Sequence, residues 1–165
     1  TKLFNVVGAC VAVFGRKDYQ QLQVIVRLAT DLLLPVDVIG APIVREPDGL
    51  ALSSRNVYLS PSERIRGLAL SRGLCGAVDA FVAGDRNAGV LRQLARTVIE
   101  PSVDRIDYID VADADTLAIA EDDHEIADRA LLAVAAHVGN TRLIDNVVLG
   151  HDPAPRASNH GANGH

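Results

Sequence analysis

Lys17, Asp18 and Gln21 offer a cation, an acid and an amide directly after Gly15-Arg16. Lys17 and Gln21 are four residues apart and Asp18 and Gln21 three, so on a helix the three side chains can share one face. Before them runs the short apolar stretch Val11-Ala12-Val13-Phe14. After them apolar residues recur at Leu22, Ile25, Val26, Ala29, Leu32 and Leu33, the period of one buried helix face. Strand, glycine and helix in that order make the βα step of a parallel sheet. Ligands of such sheets lie at the carboxyl ends of the strands, where a first helical turn presents unpaired N–H groups and a positive dipole end. An anion such as phosphate suits that position. The same residues also suit a plain solvated pair, with Asp18 near an N-cap where acids are favoured anyway. A second constellation is Ser53-Ser54-Arg55, framed by Leu50-Ala51-Leu52 and Val57-Tyr58-Leu59. Two hydroxyls and a planar guanidinium fork can wrap a phosphate. Alone, they also read as a serine-rich turn with a surface arginine.

The elements that must hold these groups follow from pattern. A helix is expected over residues 17–34, stopped by Pro35, with Val36-Asp37-Val38-Ile39 as the next parallel strand. Pro42-Ile43-Val44-Arg45 continues extended into the turn Glu46-Pro47-Asp48-Gly49. A domain boundary is expected here, dividing residues 1–43 from 44–150. Ser60 as N-cap, Pro61 at the first helical position and Glu63 closing a capping box announce a helix. Its expected buried face is Ile65, Leu68, Leu74, Val78 and Phe81, and Gly84 ends it. Asn87 caps a second helix, with Leu91, Leu94, Ala95 and Val98 inside, ending before Pro101. Residues 106–111, 129–138 and 141–149 read as strands, the last two joined at the hairpin signal Gly139-Asn140. A three-stranded antiparallel sheet against two helices is the expected result. Asp113–Leu117 reads as a turn or a short helix start and Glu121-Asp122-Asp123 as a hydrated acidic loop. His137 is expected to be a packed or edge histidine. Residues 151–165 read as a disordered tail, and no metal-ligand set is assigned.

The composition narrows the function. A chain of 165 residues with 48% apolar content builds one ordinary domain or two small ones. No apolar run has membrane-spanning length, and the first residues lack the pattern of a signal peptide. A net charge of −5 argues against binding nucleic acid by general phosphate neutralisation, though not against a local basic pocket for a nucleotide. Cys10 and Cys75 lack metal or redox spacing and read as packed, reduced thiols, which makes the cytoplasm the expected compartment. The sequence contains no methionine. Its first residues read as the end of an amphipathic helix, and a strand apolar on both faces wants parallel neighbours. The chain is therefore expected to start inside a larger fold.

Taken together, Phe14-Gly15-Arg16-Lys17-Asp18-Tyr19-Gln20-Gln21, the run Asp48–Leu59 and Thr141-Arg142-Leu143-Ile144-Asp145-Asn146 resemble the pantothenate synthetase family. The resemblance implies an α/β fold: a remnant of a Rossmann-like, HUP-type nucleotidylyltransferase domain at 1–43, then a small α+β domain at 44–150 with helices on a three-stranded antiparallel sheet. It implies AMP-forming ligation of (R)-pantoate and β-alanine through a pantoyl adenylate, with ATP as substrate and Mg2+ beside it. Gly15 and Asp18 would meet the ribose of ATP, and Lys17 would stabilise the phosphates during catalysis. Gln21 would hold pantoate, and Val44 would meet the adenine through its backbone. Leu52, Ser53, Ser54 and Arg55 match the family's mobile phosphate-binding loop. Arg16 departs from the family's usual acid or amide and adds a charge beside the nucleotide. Gly8-Ala9-Cys10 replaces a segment that usually carries Pro-Asp. The family's amino-terminal half, with its histidine-bearing HIGH-type motif, has no counterpart in these residues. For partners the resemblance implies a homodimer in the intact enzyme, or completion by a separately encoded amino-terminal half. No nucleic-acid or membrane partner is implied. The alternative reading is a non-catalytic ATP-binding or dimerising fragment of the same fold.

Overall fold

The computed structural model describes residues 1–157. They form two compact units, Thr1–Ile43 and a second that begins at Val44.

In the first unit a short helix α1 (Lys2–Val7) precedes strand β1 (Cys10–Gly15). A 3-10 turn (Arg16–Asp18) leads into helix α2 (Tyr19–Asp31), and strand β2 (Val36–Ala41) follows. β1 and β2 pair in parallel, Cys10 with Val36 through Gly15 with Ala41. The expected helix thus starts two residues later and ends three earlier than residues 17–34. Its buried positions are Tyr19, Leu22 and Ala29. Val26, Leu32 and Leu33, expected on the buried face, are exposed. Val26 lies at the margin of the stripe, while Leu32 and Leu33 lie past the helix end. There Leu33 takes a positive φ of 49° to reverse the chain. The strand's two faces also differ: Val11 and Val13 are exposed, as is Ile39 of β2, while the alternate residues face inward.

The second unit contains a 3-10 turn (Ser54–Tyr58), helices α3 (Pro61–Gly67), α4 (Ala69–Val82) and α5 (Ala88–Ile99), and strands β3 (Arg105–Ala112), β4 (Ala130–Val138) and β5 (Thr141–Leu149). The strands form one antiparallel sheet in the order β3-β4-β5. The fold is therefore α/β with the expected three-stranded antiparallel sheet. β4 and β5 meet across Gly139-Asn140, with Val138 opposite Thr141 and Gly139 at φ 56°. Leu74, Leu91, Ile99, Val111, Leu132, Val134, Val138 and Leu149 are fully buried where the helices cover the sheet.

Local chemistry accounts for the helix ends. Ser60 Oγ accepts from the Glu63 N–H while the Glu63 carboxylate accepts from the Ser60 N–H, a closed capping box. Asn87 Oδ1 accepts from the Val90 N–H at 2.9 Å. At the far end of α4, Gly84 N–H bonds Phe81 O and Asp85 N–H bonds Ala80 O, with Gly84 at φ 109°. That is a Schellman ending, which a left-handed glycine permits.

Three expectations need correction here. The single helix after Ser60 is broken at Leu68 into α3 and α4, and the break seats Gly67 against Leu143 of β5. Ile65 consequently points outward, 65% exposed. Leu94 and Val98 of α5 are also half outside, because the buried stripe runs along Ala88, Leu91, Ala95 and Ile99. Residues 151–157, expected as part of a loose tail, make defined contacts. Asp152 exchanges hydrogen bonds with the backbone of Val148, and Arg156 pairs with Asp79 at 2.6 Å. The rest of the expected tail lies outside the described residues. No helix among the described residues is long and apolar enough to cross a membrane.

Candidate functional site

Gly15, Arg16, Lys17, Asp18 and Gln21 all lie at the carboxyl end of β1, on the 3-10 turn and the first turn of α2. A Cβ built on Gly15 would meet nothing within 4 Å, so the backbone there is open to close approach by a ligand. Gly15, Asp18 and Gln21 are exposed, and Arg16 and Lys17 are half-buried. Asp18 precedes α2 but makes no capping hydrogen bond with its side chain. Its carboxylate is thus not consumed in starting the helix. The stem of Arg16 lies over β2: its Cγ sits 3.2 Å from the point where a Cβ on Gly40 would be. Arg16 is thereby packed on the sheet rather than swung free over the turn.

The other predicted residues belong to the second unit. The Val44 carbonyl accepts from the Leu52 N–H at 2.9 Å, and Arg45 and Ala51 form an antiparallel bridge. This narrow hairpin carries the Leu52–Arg55 segment at its end. Ser53 Oγ accepts from the Arg55 N–H at 3.2 Å, so one of the two hydroxyls shapes the turn itself. Ser54 and Arg55 are exposed.

The base of this turn rests on groups to which sequence reasoning gave no role. Asn56 is buried, and its Nδ2 donates to Ala51 O at 3.1 Å and to Glu46 Oε1 at 2.5 Å. Arg64 of α3 donates to Glu46 at 2.7 Å and, through Nε, to Asp48 at 2.9 Å. Hydrogen bonds from Arg64 and then Asn56 hold the Glu46 carboxyl below its ordinary range, and the two carboxylates raise Arg64. Arg45 forks both oxygens of Asp145 on β5. The alternation of acids and arginines around the Glu46–Gly49 turn was the available signal. It pairs residues too far apart in sequence to match by inspection.

Other polar groups fall elsewhere. His137 does have partners: Arg105 Nη2 lies 2.7 Å and Asp107 3.3 Å from its Nε2. Arg142 leads the groups that hold the Asp107 carboxyl low. An open groove of about 530 Å³ beside α5 is lined by Arg92, Arg96, Asp110 and Asp122, and it contains none of the predicted residues. No cluster of three or more His, Cys, Asp or Glu at metal-holding distance occurs among the described residues. Cys10 and Cys75 are free thiols, and burial pushes Cys75 up from its ordinary pKa.

The family model for pantoate-beta-alanine ligase matches residues 1–148, through both polar constellations. The chain belongs to this family. Pantothenate synthetase 1 of Bradyrhizobium diazoefficiens is 54% identical over 153 residues, covering 93% of this chain and 53% of that protein. The pantothenate synthetase of Moorella thermoacetica is 51% identical over 150 residues, covering 90% and 52%. Among solved structures, the pantothenate synthetase of Thermus thermophilus matches with a TM-score of 0.76 and 40% identity, over 83% of this chain and 49% of that one. A pantoate-beta-alanine ligase from Francisella tularensis, solved with beta-gamma ATP and beta-alanine, matches with a TM-score of 0.54 and 25% identity over 87% of this chain. The chain spans about half the length of the curated relatives it matches.

Proposed function

We propose that this chain supplies the carboxyl-terminal half of a pantoate–β-alanine ligase. The observation that carries this reading is the family match over residues 1–148, a span that includes Gly15–Gln21 and Leu52–Arg55. In the proposed reaction the pantoate carboxylate attacks the α-phosphorus of ATP, and pyrophosphate leaves. The β-alanine amine then attacks the acyl carbon of the adenylate, and AMP leaves. Both steps gather anions, so the protein's work is positioning and charge stabilisation.

Each residue then has a task. In the first unit Gly15 lets the ribose approach the backbone, and Asp18, free of capping duty, accepts from its hydroxyls. Lys17 neutralises phosphate charge as it develops, and Gln21 holds pantoate. Arg16, packed over Gly40, adds long-range positive potential near the nucleotide. In the second unit Val44 meets adenine through its backbone. The Leu52–Arg55 turn binds phosphate oxygens through Ser54, Arg55 and the proton of the Ser53 hydroxyl. Mg2+ would travel with the triphosphate, since the described residues offer it no cage of carboxylates.

The first unit is read as part of a Rossmann-like domain of the HUP type. Parallel sheets are normally covered on both faces. The exposed Val11, Val13 and Ile39 fit a sheet face that a further layer would cover. A homodimer, a separately supplied amino-terminal half and a cytoplasmic setting belong to the same proposal. The exposed strand face also supports the second reading, a non-catalytic fragment that pairs through β1 and β2. Titrating ATP with Mg2+ into the chain tests the nucleotide part: binding that Lys17→Ala abolishes supports it, and absence of binding to the folded chain counts against it.

A further inference from the structure

We propose that Asn56 is the positioning residue of the phosphate-binding turn. Its amide closes Leu52–Arg55 into a loop with fixed ends, so that Ser54 and Arg55 meet a polyphosphate from a preset backbone. The inference rests on the ATP reading above and gives that reading a residue that touches no ligand.

Asn56 follows Arg55 directly, yet it is buried at 8% exposure while Arg55 and Val57 on either side are exposed. Three hydrogen bonds cross the base of the turn. Asn56 Nδ2 reaches back to Ala51 O at 3.1 Å, Asn56 N–H bonds Ser53 O at 3.1 Å, and Arg55 N–H bonds Ser53 Oγ at 3.2 Å. The first of these links the residue before the loop to the residue after it. The second Nδ2 hydrogen goes to Glu46, which Arg64 anchors to α3. With a carboxylate and a carbonyl facing it, only the NH2 end of the amide can stand there. Its other end, Oδ1, is buried and has no partner among the described residues. A buried, unpaired acceptor costs stability. The amide therefore serves through its two donated bonds.

A turn ordered before binding does not have to be ordered by the ligand, and affinity rises accordingly. Asn56→Asp would set a carboxylate against Glu46 and the Ala51 carbonyl, opening the base without altering side-chain size.

The test uses the full chain titrated with ATP and Mg2+, together with amide exchange at Arg55 and Asn56. Asn56→Asp is expected to weaken ATP binding roughly tenfold, the scale of one lost buried hydrogen bond. Adding Glu46→Gln, which supplies a donor, should recover most of that loss. In a Ser54→Ala, Arg55→Ala background the same Asn56→Asp change should cost less than about twofold, because its effect travels through those two side chains. A residue that only stabilises the fold would give the same loss in both backgrounds, and that result overturns the proposal. If the wild-type chain binds no ATP, the nucleotide reading falls, and exchange decides the positioning claim. Arg55 exchange should quicken about tenfold in Asn56→Asp, and unchanged exchange overturns it. Should that variant not fold, Asn56→Ala removes the same bonds without adding charge and is judged by the same readings.

Discussion

The guanidinium of Arg45 donates to both carboxylate oxygens of Asp145, at 2.7 and 2.9 Å, across a hundred positions of sequence. Asp145 is 3% exposed and the Arg45 side chain 16%. The fork joins the hairpin that begins the second unit to the core face of β5.

Breaking that pair should be costly. Arg45→Ala would take the guanidinium from a buried carboxylate and is expected to lose about 3 kcal/mol of stability in urea unfolding. Replacing both partners with apolar residues, as in Arg45→Met with Asp145→Leu, should recover most of it. Equal losses in the single and double variants would contradict this account of the pair.

The acid side of the stability profile should report Glu46. Its folded pKa is depressed from 4.5, chiefly by the hydrogen bond from Arg64. The stabilisation is therefore present above the unfolded value and is lost as the pH falls through the folded one. Glu46→Gln should be less stable than the wild type at neutral pH, and the two should converge as the pH drops below the ordinary carboxylate range. Urea midpoints measured from about pH 7 to about pH 3 check this. A gap that widens on acidification has the wrong sign.

Gly73 should tolerate no side chain. A Cβ there would lie 2.8 Å from the Ala95 carbonyl oxygen and 2.8 Å from Ile99 Cγ1 on α5. Gly73→Ala is expected to cost about 1–3 kcal/mol as α4 and α5 are forced apart. Gly76→Ala, on the same helix with nothing within 4 Å of its Cβ, should be neutral or slightly stabilising. Thermal unfolding of the two variants side by side separates packing from helix propensity.

Much of the second unit was legible because its signals are local. Ser60-Pro61-Ser62-Glu63, Asn87 and Gly139-Asn140 each fix a cap or turn through neighbours within a few residues. The errors have a common source. Ile65, Leu94 and Val98 fit a helical period, but a period does not say how wide the covered stripe is or where a helix breaks. The first unit shows the same effect in its helix: Val26, Leu32 and Leu33 fit the period but are exposed. Lys17, Asp18, Gln21, Ser53, Ser54 and Arg55 stood out by type and spacing, while Gly15, Val44 and Leu52 entered through the family resemblance. The supports beneath them, Asn56, Glu46, Arg64 and the Arg45–Asp145 fork, did neither. They are contacts made by folding, and no spacing rule encodes them.

The central claim is tested most directly by a fusion of the Thermus thermophilus relative's amino-terminal half to this chain. AMP release is measured with ATP, pantoate, β-alanine and Mg2+. The account predicts AMP formation that needs all three substrates, is absent from the chain alone, and falls at least about a hundredfold on Lys17→Ala. A folded fusion that releases no AMP, or one whose turnover survives Lys17→Ala, would contradict it.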